Sequence, residues 1–288
     1  MLIDVAVLNA FTYQKTGGNP AGVVLDAHQL SAPQMQQIAT QVGLSETVFI
    51  LPSTQGDFTT RFFTPTDEVN YCGHATLAAF SLIYQQKIIQ PGRFLQEINN
   101  QQLLAITVED DGQIIMTQQR PQFLTQFQAS EVAPLLNLPV ELLSETNLPI
   151  QAISTGLVDV FVPIPEGFLD HITQNEAAVT EFSTKHDFVG LHLFELPTKL
   201  TSFSARCRNF APRFGIPEES ATGSSSGALA CYLSTYVDQA KTDFLFEQGK
   251  AMQCCSSLSA TLRKSGTEIV EVQVGGYGSQ PKRVQVNI

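Results

Sequence analysis

The chain has 288 residues, 43% hydrophobic and only 15% charged, with 27 Asp and Glu against 16 Lys and Arg and a net charge of −11. That length accommodates one large domain or two of about 140 residues, and a charged fraction well below the ~25% of an average globular protein leaves enough apolar material for a sizeable core. An acidic chain without a basic cluster is excluded as a natural binder of nucleic acid or anionic membrane surfaces, so an anionic ligand would have to be held by local features such as helix N-termini.

The opening MLIDVAVLNAF lacks a positive n-region and reads as a strand rather than a signal peptide. No run of about 18 apolar residues offers a membrane span. Five cysteines, at positions 72, 207, 231, 254 and 255, form no CxxC pair, which predicts reduced thiols in a cytoplasmic protein.

In chain order, short runs rich in Val, Ile, Phe and Thr predict strands over 2–11, 21–26, 47–51, 58–64, 103–109, 113–119, 151–154, 158–163, 188–196, 201–209, 243–248, 258–264, 268–274 and 282–287. Ser31, with Pro33 two residues on, caps a helix through MQQIATQV. The two most apolar helix candidates are His74–Gln86 and Ser224–Val237, both reading as buried on most sides. The Gln-rich segment Gln118–Ser130 has weak periodicity and reads as a linker.

One pattern occurs twice. RFFTPTDEVNYCGHATLAAFSLIY, from Arg61, and RNFAPRFGIPEESATGSSSGALACYL, from Arg208, both begin Arg-x-Phe-x-Pro. Both then carry glutamate (Glu68; Glu218 and Glu219), a lone glycine (Gly73; Gly223) and an apolar helix rich in small residues. A duplicated strand–loop–helix unit predicts two similar halves, related by a pseudo-twofold axis, with the two glycine-led helices facing a shared cleft.

At each glycine the backbone can approach a ligand without a Cβ in the way, and the next N–H groups lack intrahelical acceptors. With the helix dipole they favour an anion by about 0.3–1 kcal/mol, or up to ~2 when partly buried. The bland reading is two glycines that permit tight packing. Gly223-Ser224-Ser225-Ser226-Gly227 matches the G-x-S-x-G nucleophile elbow, but Ile216–Thr222 does not read as the buried strand an elbow needs directly before it and no histidine lies beyond His192, so a serine hydrolase is set aside. Cys72 and His74 supply only half a zinc site, and no metal is predicted. A Cys72–His74 nucleophile pair is conceivable because a helix start lowers a thiol pKa, although side chains two apart would be expected to diverge. Cys254-Cys255 reads as part of a strand. Glu46, in GLSETVFIL, has no other charged neighbour in its stretch. It either begins a strand at the surface or is buried, and burial would raise its pKa towards neutrality, where it could exchange protons.

Gly18-Asn19-Pro20-Ala21, Ser45-Glu46-Thr47, Arg61-Phe62-Phe63-Thr64-Pro65, Cys72-Gly73-His74-Ala75-Thr76 and Ala221-Thr222-Gly223-Ser224, in that order, resemble the PhzF family of phenazine-biosynthesis-like isomerases over essentially the whole chain. The resemblance implies an α+β protein of the diaminopimelate-epimerase fold, with two similar domains, each a curved, mostly antiparallel sheet around a central helix. Their limits would be about 1–120, with a strand at about 275–288 that could return to it, and 128–272. It implies a cofactor-independent, general acid–base isomerase with its active site between the domains, a homodimer, and a small carboxylate-bearing metabolite as partner. Glu46, His74 and Glu219 are then the catalytic candidates, and Asn19, Ser45, Cys72, Gly73, Gly223 and Ser224 the substrate-binding ones. The family motif Glu-Asp-Pro-Ala-Thr-Gly reads Glu218-Glu219-Ser220-Ala221-Thr222-Gly223 here, so the acidic side chain is one methylene longer. The epimerases of that fold use two cysteines, and Gly223 has none beside it. A one-thiol racemase or epimerase using Cys72, and a non-catalytic metabolite-binding protein, remain the alternatives.

Overall fold

The computed structural model describes residues 1–199 and 201–288. The chain folds into two compact units, Met1–Thr117 with Gly275–Ile288, and Gln118–Val274. Each is an α+β unit built on the same plan.

In the first unit the strands Leu2–Ala10 and Asn19–Val24 are antiparallel, and Lys282–Asn287 flanks Leu2–Ala10 on its other edge. Asn19–Val24 crosses over through the helix Ala32–Val42 to the parallel strand Thr47–Leu51. Ser31 begins that helix, its N–H donating to Gln34 Oε1 (2.9 Å). Gly43, in the left-handed conformation (φ 66°), ends it, as a C-terminal glycine commonly does. Phe58–Phe63 returns antiparallel to Thr47–Leu51, and a short strand, Glu68–Val69, folds back on it. The helix Gly73–Gln85 follows and leads to Gly92–Glu97, parallel to Phe58–Phe63 and antiparallel to Leu103–Val108.

The strands Asn19–Val24 and Thr47–Leu51 are buried almost continuously, the sign of a sheet covered on both faces. Ala32–Val42 buries Met35, Ile38 and Ala39 against Val5, Val24, Phe49 and Phe63. On alternate positions the other face takes Gly73–Gln85, in which every residue from His74 to Ile83 is buried. A helix apolar all round belongs inside a core.

The second unit repeats the order. Ile150–Ser154 is antiparallel to Val158–Ile164, which crosses through the helix Glu176–His186 to the parallel strand Gly190–Glu195. Ala205–Ala211 returns antiparallel, Ile216–Glu219 folds back on it, and the buried helix Gly223–Tyr236 leads to Asp243–Gln248, parallel to Ala205–Ala211. Both units also hold the repeat's arginine in the same way. Arg61 binds Glu68 bidentately (2.7 and 2.7 Å), and Arg208 binds Glu218 (2.8 and 2.7 Å). Each guanidinium lies over the phenylalanine two residues further on, Phe63 or Phe210.

Some elements depart from the sequence reading. The linker candidate contains the strand Gln122–Phe127, bulged against Ile150–Ser154; its first five residues are exposed, so no alternating pattern marks it. Gly92–Glu97 goes unread because its inward positions include a glutamine, Gln96, fully buried and hydrogen-bonded to Thr60 and Thr76. The helix Glu176–His186 buries only Val179 and Ser183, too little for a periodic signal, and is fixed by Asn175, whose side chain accepts from the Ala178 N–H (3.2 Å).

Candidate active site

Cys72 is the N-cap of the helix Gly73–Gln85, with an extended backbone (φ −144°, ψ 118°). Its carbonyl accepts from the N–H and the hydroxyl of Thr76 (3.0 and 2.9 Å), which pins the first turn. From that extended position the thiol folds over the turn rather than away from it. Cys72 Sγ lies 3.3 Å from His74 Nδ1 and 3.9 Å from Nε2. The expected divergence of these two side chains is therefore corrected: it applies within a helix, not across the cap.

Glu46 arrives from the loop between Ala32–Val42 and Thr47–Leu51. Its carbonyl accepts from Gly22 N–H (3.0 Å), extending the parallel ladder by one residue and turning the side chain towards the helix start. Glu46 Oε2 stands 3.2 Å from His74 Nε2, with side-chain exposures of 14% and 4%. That oxygen is buried, and His74 acts on it both as a hydrogen-bonding group and as a charge. Ser45 Oγ is 3.4 Å from the same nitrogen. The surface reading of Glu46 does not hold.

Burial alone would raise the Glu46 carboxyl, but His74 and then Ser45 outweigh it and hold the group below its ordinary range. The expected shift towards neutrality is thus reversed, because the sequence does not reveal the imidazole 28 residues on. Burial opposes protonation of His74, yet the Cys72 and Glu46 side chains hold its pKa well above the usual value. Burial and the Glu46 charge push the Cys72 thiol up. These directions favour a Glu46 carboxylate beside a His74 imidazolium, which sets proton acceptor and donor side by side. Tyr71, just before the cap, places its hydroxyl 3.8 Å from where a Cβ on Gly73 would lie and donates it to Met116 Sδ (3.6 Å). Asn19, also in this unit, is buried at the head of its strand opposite Ala10.

In the second unit the helix Gly223–Tyr236 starts from a braced loop. Glu219 Oε2 accepts from Thr222 Oγ1 (2.5 Å). The buried Gln248 donates to the Glu219 carbonyl (2.8 Å) and accepts from Thr222 N–H (3.1 Å). The rigidity that a proline at Ser220 would give is supplied here by a side chain. Gln118 Nε2 donates to the Gly223 carbonyl (3.0 Å), and Thr155 Oγ1 lies 3.1 Å from the Ser224 carbonyl. The middle serine of the elbow-like run, Ser225, donates to buried Asp159 Oδ2 (2.5 Å), not to a histidine. Burial, with the Glu219 charge adding to it, pushes the Asp159 carboxyl up to about 7. Its only signal in the sequence is a lone charge inside the apolar run VDVFVPI.

Among the described residues, one group of three metal-donor side chains stands out: Glu46, Cys72 and His74, with donor atoms all within 4.8 Å of one another. The third donor, from a different loop, is what spacing along the chain does not show.

A family model described as phenazine biosynthesis-like protein (PhzC-PhzF) matches residues 8–280. An uncharacterized isomerase of Deinococcus radiodurans is 33% identical, covering 94% of this chain and 90% of its own. The trans-2,3-dihydro-3-hydroxyanthranilate isomerase of Pseudomonas chlororaphis is 29% identical over 94% of this chain and 95% of its own. The crystal structure of a PhzF-family phenazine biosynthesis protein of Bacillus anthracis superimposes with a TM-score of 0.92 at 29% identity, covering 100% of both chains.

Proposed function

This chain belongs to the phenazine biosynthesis-like PhzF family and is an isomerase, and from that premise we propose that it shifts a proton within one small carboxylate-bearing metabolite, with Glu46 as the group that removes and returns it. The observation that carries the reading is the buried Glu46 Oε2, 3.2 Å from His74 Nε2 at the start of a buried helix. A base must be ionised to accept a proton, and His74 keeps Glu46 so. The imidazolium and the N–H groups after Gly73 supply fixed positive charge for the enolate-like anion that forms as the C–H bond breaks, with no reorganisation at that moment. Returning the proton from the same carboxyl to another carbon completes an isomerisation without a cofactor. Glu219, Gly223 and Ser224 are assigned to holding the substrate, and Glu219→Gln is expected to raise KM.

The name of the Pseudomonas chlororaphis relative supplies the first substrate to try, followed by a panel of small unsaturated carboxylic acids. Mass spectrometry in D₂O should show deuterium entering the substrate with the wild-type protein. Glu46→Gln should lose a factor of ~10²–10⁴ in that exchange, with an unchanged circular dichroism spectrum. Exchange that persists in this variant removes Glu46 from the mechanism.

The 3.3 Å contact between Cys72 Sγ and His74 Nδ1 favours a second reading, a one-thiol racemase or epimerase in which Cys72 serves the opposite face of the substrate. Cys72→Ser separates them, being nearly silent in the first reading and crippling in the second.

A further inference from the structure

The geometry points to a binding site for a soft divalent cation, Zn²⁺ foremost, formed by Glu46, Cys72 and His74. Tetrahedral zinc holds nitrogen and oxygen at about 2.0–2.1 Å and thiolate sulfur at about 2.3 Å, so its donors stand roughly 3.4–3.6 Å apart along the edges of the tetrahedron. Here Nε2 and Oε2 are 3.2 Å apart, Nε2 and Sγ 3.9 Å, and every donor pair is within 4.8 Å. Cys72 Sγ lies nearer Nδ1 (3.3 Å) than Nε2, so its side chain swings towards Nε2 to complete the figure. The set of one sulfur, one nitrogen and one oxygen suits zinc or cobalt and not magnesium or calcium. A thiolate and a carboxylate neutralise the ion's charge, while the thiol and imidazolium protons leave to solvent. A bound ion would replace the His74 imidazolium as the partner of Glu46 Oε2, and Ser45 Oγ stands 3.4 Å from Nε2. The helix N-terminus opposes a cation, but thiolate and carboxylate ligands placed at bonding range outweigh a partial charge. The carboxylates Asp170, Glu195 and Glu247 make no comparable site, because the Arg206 guanidinium already binds all three.

The test uses the full chain, stripped with a chelator and titrated with Co²⁺ and then Zn²⁺. One equivalent of Co²⁺ should produce a thiolate-to-cobalt charge-transfer band, and Zn²⁺ should displace it. Cys72→Ser should abolish the band, and Glu46→Gln should weaken Zn²⁺ binding by about 100-fold or more in calorimetry. A Cys254→Ser/Cys255→Ser double variant should keep the band. A missing band, a band that survives Cys72→Ser, or a Kd unmoved by Glu46→Gln in folded protein would overturn the proposal. Loading would take the carboxylate and imidazole out of proton transfer, a consequence that rests on the reading in the preceding subsection. Zinc bound with D₂O exchange intact would therefore count against that catalytic reading while leaving the metal site standing.

Discussion

Two carboxyl groups show how far a neighbour can override burial. Glu46 is drawn down by an imidazolium, whereas Asp159, with a hydroxyl as its hydrogen-bond partner and the Glu219 charge nearby, is pushed up to about 7. The folded protein therefore holds a proton on Asp159 between pH 3.8 and about 7, where the unfolded chain does not. More protons bound in the native state means that stability falls as pH rises through that window. The favourable contribution is whole below pH 3.8 and gone above about 7. Asp159→Asn keeps the shape without the charge, so the stability of the variant relative to wild type should improve from pH 5 to pH 8 by up to ~3 kcal/mol. Urea melts of both proteins at the two pH values measure it, and parallel pH profiles would refute it. Glu46 is legible in the sequence as an isolated charge beside an apolar strand. The direction of its shift is not, because it depends on a contact that only the fold makes.

The repeated element was readable in outline. Arginine, aromatic residue, glutamate and glycine recur in the same order, and both copies fold as strand, short return strand and buried helix. What spacing could not convey is how differently the two arginines are embedded. Arg61 touches Glu68 with side-chain exposures of 25% and 23%, against 10% and 17% for Arg208 and Glu218. Arg208 also donates to the carbonyls of Leu169 and Ile172 (3.1 and 2.8 Å). Removing one partner of a buried pair strands the other charge, at a cost of about 3–5 kcal/mol, whereas pairs nearer the surface are worth ~1. Arg208→Ala should accordingly lower Tm well beyond Arg61→Ala. Equal losses by calorimetry would show that the two sites are energetically alike. Two of the unread elements share a cause: Gln122–Phe127 and Glu176–His186 bury one face only thinly, and exposed positions carry no period.

At the scale of the whole chain, the first unit is closed by a segment that comes after the second, since Lys282–Asn287 pairs with Leu2–Ala10 and contributes Val286 to the core around Met35 and Phe49. Deleting 282–288 should expose the outer edge of Leu2–Ala10 and strip amide-exchange protection from the first unit. The second unit, continuous from Gln118 to Val274, should keep its own. Uniform loss across both would mean that they melt as one cooperative body.

The same arrangement sets an order of events on the ribosome. A nascent chain that has emerged through Val274 holds every residue of the second unit, while the first still waits for its flanking strand. Until then the open backbone of Leu2–Ala10 is a template for pairing with other polypeptides. Crowded or heated cells would meet that hazard during translation rather than after release, and chaperone dependence should track how long the early segment is kept waiting.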